Sequence, residues 1–175
     1  MIDIKLYAAP MEGLTTYIWR RAQRDIFGGA DKYFTPFLSP NGNLAFQRKE
    51  LDEVTQGEGD VVPQLLTNRG DHFVWAAREL YAMGYREVNF NLGCPSGTVT
   101  AKGKGAGFLA KPEELDRFFD EVFAAVERGD AAHGVVPFEN SHAGDVSAVL
   151  DLCYNHPDLW VVDVYDLPIS QNLLV

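Results

Sequence analysis

The sequence predicts an α/β fold built on a parallel sheet, and three observations lead to this prediction. Short apolar runs recur along the chain, a helical pattern follows each run, and Gly or capping residues separate the two kinds of element. The apolar runs are 4–9, 33–38, 61–66 and 87–92. This β-α rhythm is typical of parallel strands joined by helical crossovers.

The first crossover helix is expected to begin after Thr15 or Thr16, either of which can cap it, and to end at Gly28. Apolar residues recur within it at helical spacing, which predicts a face that packs on the sheet. That face consists of Ile18, Trp19, Ala22 and Ile26.

Three further helices are predicted along the first two-thirds of the chain. A short one covers 48–54, and a longer one lies within 68–84. The third has Pro112 at its first position and ends at Gly129. Its apolar spacing is unbroken from Leu115 to Val126, which predicts one continuous helix. In the helix predicted within 68–84, the apolar face consists of Phe73, Ala76, Ala77 and Leu80.

Beyond residue 129 the pattern predicts a strand over 134–138, a helix over 146–154 and a strand over 159–164. The helix would place Val146, Val149, Leu150 and Cys153 on one face. No linker-like composition separates this part from the preceding helix.

Composition limits the classes of function. The chain has 175 residues, of which 46% are hydrophobic, and a formal net charge of -10. A surface that binds many phosphates needs many cations, so this charge disfavours extended nucleic-acid binding. The first residues lack a signal-peptide pattern, and no apolar run approaches the roughly 20 residues that span a bilayer. With only two cysteines in unrelated contexts, we expect a soluble cytoplasmic protein with no membrane contact.

The strongest chemical signal is the Asn-Leu-Gly-Cys-Pro-Ser run at 91–96, directly after the fourth predicted strand. Parallel sheets place reactive groups at the carboxyl ends of their strands. Gly93 and Pro95 on either side of Cys94 indicate a sharp turn. The alternative is a buried structural cysteine. The pattern therefore favours a thiol that faces a ligand.

Three more motifs accompany this turn in sequence order. They are Ala-Pro-Met-Glu-Gly at 9–13, Val-Pro-Gln-Leu-Leu at 62–66 and Ala-Lys-Gly-Lys-Gly-Ala-Gly at 101–107. Together, the four motifs make residues 1–120 resemble tRNA-dihydrouridine synthase. The resemblance implies a (β/α)8 TIM-type barrel with FMN at its carboxyl-terminal mouth, of which this chain supplies the first four βα units. It also implies reduction of uridine in tRNA, with NADPH as the reductant.

The resemblance further implies roles for individual residues. Pro10 and Met11 would lie against the flavin ring, and Gln64 would hydrogen-bond the edge of that ring through its amide. Asn91 would hold the uracil. Cys94 would act as the general acid that protonates C5 of the base.

Lys102 and Lys104 would, on the same resemblance, meet tRNA phosphates, and an ordinary solvated loop is the alternative for both. The alternative for Gln64 is a polar side chain that satisfies a neighbouring backbone group. Glu12 is interpreted as a turn or surface residue. The four histidines show no spacing that places two imidazoles on one face, so no metal site is predicted.

Residues from about 119 to 175 resemble prephenate dehydratase. The motifs are Gly-Val-Val-Pro-Phe-Glu-Asn-Ser at 134–141, Ala-Gly at 143–144, Leu-Asp-Leu at 150–152 and Leu-Pro-Ile at 167–169. This resemblance implies that Asn140 and Ser141 face a carboxylated ligand such as prephenate. Capping of the following helix is the alternative for both residues. The catalytic Thr-Arg-Phe motif of that family does not occur in the sequence.

The predicted organisation is therefore a partial synthase barrel over 1–120 and a dehydratase-like α/β fragment over 121–175. Complete barrels of this type take about 250 residues and bind cofactor phosphate through loops after strands seven and eight. We expect the 175-residue chain to be inactive by itself. The alternatives are an enzyme completed by another chain and a module that binds a small carboxylated ligand. Open sheet edges also predict self-association.

Overall fold

Four parallel strands form the sheet on which the first part of the chain is built. A computed structural model describes residues 5–56, 60–140, 144–145 and 147–165. The strands are hydrogen-bonded in the order β1-β2-β3-β4, which is also their order in sequence. Successive βα units are confirmed by this order. The strands are β1 Tyr7–Ala8, β2 Lys32–Leu38, β3 Val61–Leu65 and β4 Asn89–Phe90.

Helices connect the strands at the predicted places. Thr16 occupies the N-cap position of the first helix without a side-chain capping hydrogen bond, and Gly28 ends this helix in the left-handed conformation that glycine adopts readily. Pro112 is the first residue of the long fifth helix, which is continuous as predicted. The helices are α1 Tyr17–Phe27, α2 Arg48–Thr55, α3 Gly70–Ala82, α4 Gly97–Thr100, α5 Pro112–Glu127 and α6 Ser147–Asn155, and a 3-10 helix spans Gly105–Ala110.

The core lies between the sheet and the helices α2, α3 and α5. All five residues of β3 are buried, which fits a central strand covered on both faces. The Phe90 and Phe118 rings stack with centroids 4.4 Å apart, and this contact joins β4 to α5. Leu38, Val54, Leu65, Ala76 and Leu80 form the buried cluster at the centre of this core.

The prediction that the apolar face of α1 packs on the sheet is wrong. Ile18 and Ile26 are 63% and 71% exposed, and Ala22 and Trp19 also lie on the exposed side. The buried residue of the helix is Arg20, because its guanidinium forms hydrogen bonds at the junction with α2. Helical spacing identifies an apolar face but does not reveal which neighbour covers it.

The two strands predicted in the last part of the chain are also wrong. Residues 134–138 and 159–164 have no strand conformation, and Trp160 is 82% exposed. A strand requires a hydrogen-bonded neighbour, and within the described residues neither run has one. Instead, β5 Glu139–Asn140 and β6 Gly144–Asp145 form a separate antiparallel pair.

The predicted helix near 146–154 is confirmed as α6. It buries Val149 and Leu152, whereas Val146 lies outside the described residues. The end of α6 packs on α5, with the His156 imidazole 3.0 Å from the Glu127 carboxylate. No helix in the described ranges is both long enough and apolar enough to cross a bilayer.

Candidate active site

A cavity of about 420 Å³ lies where β1, β3 and β4 end. It brings together five predicted site residues from three separate motifs, as expected for the carboxyl ends of parallel strands. Those residues are Pro10, Met11, Gln64, Asn91 and Cys94. The remaining lining consists of Glu12, Pro36, Phe37, Phe90, Leu92, Gly93 and Pro95.

Three side-chain amides form a hydrogen-bonded chain beside this cavity, which we call the amide relay: Asn89, Gln64 and Asn91. Gln64 and Asn89 are partners in the β3-β4 register, so their side chains project on the same side of the sheet. The Gln64 Nε2 donates to Asn89 Oδ1 at 2.8 Å, and Asn91 Nδ2 donates to Gln64 Oε1 at 2.8 Å. The relay fixes the rotamers of two predicted ligand-binding residues.

The Cys94 turn is held from both sides. Asn91 Oδ1 accepts hydrogen bonds from the backbone N–H groups of Gly93 at 3.1 Å and Cys94 at 3.0 Å. The Cys94 carbonyl accepts the N–H of Ala106 at 3.0 Å. The thiol is free and partly buried. These contacts orient Cys94 without engaging its sulfur in a disulfide.

The Gly-rich loop packs against this turn at a distance that only glycine permits. Gly105 has φ +55, and a Cβ there would lie 2.7 Å from the Cys94 carbonyl oxygen. A Cβ at Gly107 would lie 2.6 Å from the Thr100 carbonyl oxygen. The glycines of the 101–107 motif therefore bring the loop against the backbone that carries the thiol.

A buried ion pair supports the loop that carries Met11. The Met11 N–H donates to Thr15 Oγ1 at 2.8 Å, and Arg20 Nη1 donates to the Thr15 carbonyl at 2.8 Å. The same Nη1 lies 2.9 Å from Glu53 Oε2, which also accepts the Tyr17 N–H at 2.7 Å. The Met11 loop is thereby connected to α2.

A second cavity of about 350 Å³ adjoins the first, since Glu12 and Phe37 line both. Lys102 and Lys104 line it, as does Lys49. The Lys104 ammonium donates to Ser39 Oγ at 2.9 Å, and burial lowers the pKa of Lys104. Both predicted lysines therefore lie beside the candidate site, and Lys104 is held in place by a hydrogen bond.

Burial in the same region raises the pKa of Glu50. Its two carboxylate oxygens accept the N–H of Gln47 at 2.8 Å and the N–H of Ser39 at 3.3 Å. The Glu50 carboxylate stabilises the first turn of α2, because it forms a capping box with Gln47. Glu50 therefore has a structural role at the edge of the lysine cavity.

Of the two predicted dehydratase-like residues, Asn140 belongs to the backbone of β5, and Ser141 lies outside the described residues. Among the residues that the structure describes, no group of three His, Cys, Asp or Glu side chains could hold a metal ion.

Neither the role of Asn89 nor the cavity position of Glu12 is predicted from the sequence. Asn89 lies two residues before Asn91 in an apolar run, so strand periodicity places both on the same face. This periodicity is the sequence signal that could have identified Asn89. Glu12 is exposed, as interpreted, but it also lines both cavities. Its cavity position depends on how the Met11 loop folds, which the local sequence does not specify.

Comparison with known proteins agrees with this geometry. Residues 7–133 match the family model described as dihydrouridine synthase. The chain belongs to the dihydrouridine synthase family. Its four parallel βα units agree with a partial TIM-type barrel of this family. The family model described as prephenate dehydratase matches residues 112–175, so the two matches overlap within α5 and the residues that follow it.

Relatives of the family are similar over the same part of the chain. The tRNA-dihydrouridine(16) synthase of Cupriavidus necator is 34% identical over 130 residues, which cover 70% of this chain and 40% of that protein. The corresponding synthase of Ralstonia nicotianae is 31% identical with the same coverage. The probable tRNA-dihydrouridine synthase 1 of Synechocystis sp. is 27% identical over 123 residues, or 35% of its length. The chain thus spans well under half the length of these relatives.

Proposed function

We propose that this chain carries the ring-binding and uracil-binding part of an FMN-dependent tRNA-dihydrouridine synthase that reduces uridine in tRNA with NADPH. The observation that carries the proposal is the meeting of Pro10, Met11, Gln64, Asn91 and Cys94 at one cavity. The relatives whose names specify tRNA-dihydrouridine synthase support the choice of substrate.

The cavity has the chemistry that a flavin ring requires. Pro36 and Phe37 offer apolar contact to a flat heteroaromatic ring, and Gln64 offers polar contact to its edge. Within the amide relay, Gln64 uses one amide hydrogen and one carbonyl lone pair. Its second hydrogen and second lone pair remain for the ligand. When bound, FMN would supply the hydride that adds to C6 of the uracil.

Cys94 would supply the proton. As the hydride adds at C6, the electron pair of the C5–C6 double bond takes the proton from the Cys94 sulfur to form the new C5–H bond. The resulting thiolate regains a proton from water. The turn around Cys94 favours this role because two backbone hydrogen bonds to Asn91 and one from Ala106 fix the backbone next to the sulfur.

Lys102 and Lys104 would bind phosphates on either side of the target nucleotide. Both line the cavity that adjoins the flavin site, and Lys49 lines it as well. These three lysines outnumber the carboxylates Glu12 and Glu50 in the same lining, so the cavity is locally positive on a chain whose formal net charge is -10. A base that enters the neighbouring cavity has to leave its stack, and phosphate contacts position the flipped nucleotide.

The test compares the Cys94→Ala variant with the parent in two separate reactions, the reduction of FMN by NADPH and the reduction of uridine in tRNA. Residues 1–120 are fused to the second half of the Cupriavidus necator relative, and the fusion is assayed with FMN, NADPH and unmodified tRNA. We expect dihydrouridine formation to fall by about 100-fold to 10,000-fold, the usual contribution of general acid catalysis. Reduction of FMN by NADPH should remain nearly unchanged, because it needs no proton from the thiol. Equal loss in both half-reactions would contradict the general-acid role.

The match of residues 112–175 to prephenate dehydratase favours a second candidate function, the binding of a small carboxylated ligand. Calorimetric titration of the chain with prephenate and with phenylalanine tests it. Heat that saturates at a one-to-one ratio and disappears in Asn140→Ala would support this candidate. The absence of saturable binding would exclude both ligands.

A further inference from the structure

Segment 160–165 is an exposed apolar run with the composition of a buried strand. Asp163 is its only polar residue, so in an extended conformation both of its faces would be apolar. Strands with this pattern are covered on both faces in parallel sheets. The segment has no such cover within the described part of the chain. Its exposed apolar residues are Trp160, Val161, Val162, Val164 and Tyr165.

The edge of the sheet at β1 offers the hydrogen bonds that a strand of this kind needs. Among the described residues β1 pairs with β2 alone. Just before β1, the Leu6 N–H donates to Asp31 Oδ2 at 2.7 Å, and the Leu6 carbonyl accepts the Asp31 N–H at 2.8 Å. Successive residues of a strand direct their backbone groups to opposite sides, so the N–H and carbonyl of Tyr7 face the open side.

The apolar face of α1 overhangs this open edge. Ile18 and Ile26 are exposed on the side of the helix opposite to Arg20, and Arg20 faces α2. Because α1 and α2 follow β1 and β2 in the order of the strands, the side of α1 turned away from α2 lies past β1. Phe27 is exposed at the end of the same helix. A strand added beside β1 would therefore meet an apolar helix face above it.

The segment cannot reach this edge within its own chain. It follows α6, whose end contacts α5 through His156 and Glu127, and α5 packs on β4 at the opposite edge of the sheet. Three strand spacings of about 4.8 Å separate β4 from β1, and the helix layer adds about 10 Å. The chain from Asn155 to Trp160 extends at most about 18 Å. An edge that accepts the segment must come from another molecule.

We propose that segment 160–165 of one copy adds as a strand to the β1 edge of a second copy, beneath the apolar face of α1. Trp160 and Tyr165 are 82% and 83% exposed, and covering them would bury roughly 250 to 400 Å² of one copy. Two copies that exchange segments form this contact twice. Counted on both faces of both contacts, the two aromatic residues account for roughly 1,000 to 1,600 Å², about the size of a stable interface.

This inference goes beyond the proposed function, because none of the residues that form the contact lines the candidate active site. The contact also gives a reason for the strand composition of segment 160–165. Strand propensity is effective only where a neighbouring strand and a covering face are present, and the second copy supplies both.

The first test is sedimentation equilibrium of the full chain with Val162→Lys and with the matched control Val135→Lys. Both valines are exposed, and Val135 lies outside the segment, so neither change removes a buried contact of the single chain. We expect Val162→Lys to raise the dissociation constant of self-association by at least about tenfold, because it places a charge in the apolar contact. Val135→Lys should leave that constant close to the parent value. A monomeric parent, or equal dissociation constants in the two variants, would overturn the proposal.

The second test identifies the two surfaces by disulfide trapping, in a background where serine replaces both native cysteines. Chains with Tyr7→Cys are mixed under mild oxidation with chains that carry Val161→Cys or Val162→Cys, which sample both faces of the segment. We expect mass spectrometry to find a disulfide that joins position 7 of one copy to the segment of the other. Val135→Cys is the control and should form few such links. Links no more frequent than in this control would overturn the proposal, as would a link within one monomer that carries both Tyr7→Cys and Val162→Cys.

Discussion

The Arg20 guanidinium lies 2.9 Å from the Glu53 carboxylate, and only 3% of the Arg20 side chain is exposed. A second nitrogen of the guanidinium donates to the Glu53 carbonyl at 2.6 Å. Burial lowers the pKa of Arg20, and the hydrogen bond and charge of Glu53 oppose that shift. The pair therefore joins α1 to α2 and supports the loop that carries Met11.

Glu53→Ala should lower the free energy of unfolding by about 3 to 5 kcal/mol, because it leaves a buried cation without its partner. The additional change Arg20→Met should recover part of this loss, since no charge then remains buried. Urea denaturation measures both effects. Glu114→Ala is the control, since its ion pair with Lys111 is exposed and should contribute less than about 1 kcal/mol. Equal losses in Glu53→Ala and Glu114→Ala would show that the buried pair has no special role.

The sequence predicts the βα units because period, caps and glycine breaks agree along 5–129. It does not predict that Arg20 is the buried residue of α1, since the burial of a charge depends on a partner 33 residues away. The same limit applies to the amide relay. Local pattern identifies Asn91, but the Gln64–Asn89 contact follows from strand register, which only the assembled sheet establishes.

In the last part of the chain, the sequence pattern predicts a strand that the structure does not contain within the described residues. Residues 159–164 have the composition of a strand, yet they form none within the described part of the chain. Strand propensity measures how well a residue fits a half-buried pleated surface, so it has no effect where no neighbouring strand supplies that surface. The pattern predicts α6 correctly because a helix satisfies its backbone hydrogen bonds internally.

The Gly-rich loop offers a matched pair of substitutions. Gly103 and Gly105 both have positive φ, at +62 and +55, so alanine introduces similar backbone strain of about 1 to 2 kcal/mol at either position. A Cβ at Gly103 meets the flexible end of Lys111, whereas a Cβ at Gly105 meets the Cys94 carbonyl. We therefore expect Gly105→Ala to destabilise the fold more and to change the environment of the thiol.

Iodoacetamide labelling measures this difference in a Cys153→Ser background, where Cys94 is the remaining thiol. Gly105→Ala should change the labelling rate severalfold, and Gly103→Ala should leave it close to the parent rate. Equal labelling rates in the two variants would mean that the close approach at Gly105 does not position Cys94.

Lys104 should give folding stability a recognisable pH dependence. Burial lowers its pKa in the folded state below the ordinary value of 10.5. Between the two values the unfolded chain binds more protons than the folded chain, so stability rises with pH across that window. Lys104→Met should remove this rise, whereas Lys49→Met, at an exposed lysine of the same cavity, should retain it. Denaturation curves at several alkaline pH values measure the difference between the two variants. If stability changes with pH in the same way in both, Lys104 is not the source of the rise.

Self-association remains a prediction, and the structure suggests which surface would mediate it. Within the described residues β1 pairs with β2 alone, and Phe27 at the end of α1 is 78% exposed. We expect sedimentation to show association that increases with protein concentration, since open edges and apolar faces recruit partners. Ile26→Lys combined with Phe27→Lys should reduce it, whereas Tyr154→Lys in α6 should not. A monomer at all concentrations would contradict this prediction.

A polypeptide of these 175 residues should not retain FMN through desalting. Pro10, Met11 and Gln64 face the cavity proposed for the ring. In barrels of this type the cofactor phosphate is commonly bound by loops after strands seven and eight, and the described parallel sheet has four strands. Without two or three charge-assisted hydrogen bonds of about 1.5 to 3 kcal/mol each, affinity falls by several powers of ten.

The measurement is the visible absorbance of the purified chain after incubation with FMN and desalting, with the full-length Cupriavidus necator relative as the control. We expect a colourless chain that forms no dihydrouridine on unmodified tRNA with NADPH. Stoichiometric yellow flavin would contradict this expectation, because ring contacts alone cannot supply that affinity. That result would mean that groups within the chain bind the FMN phosphate. The cavity that Lys102 and Lys104 line beside the ring site would then be tested first, with Lys104→Met.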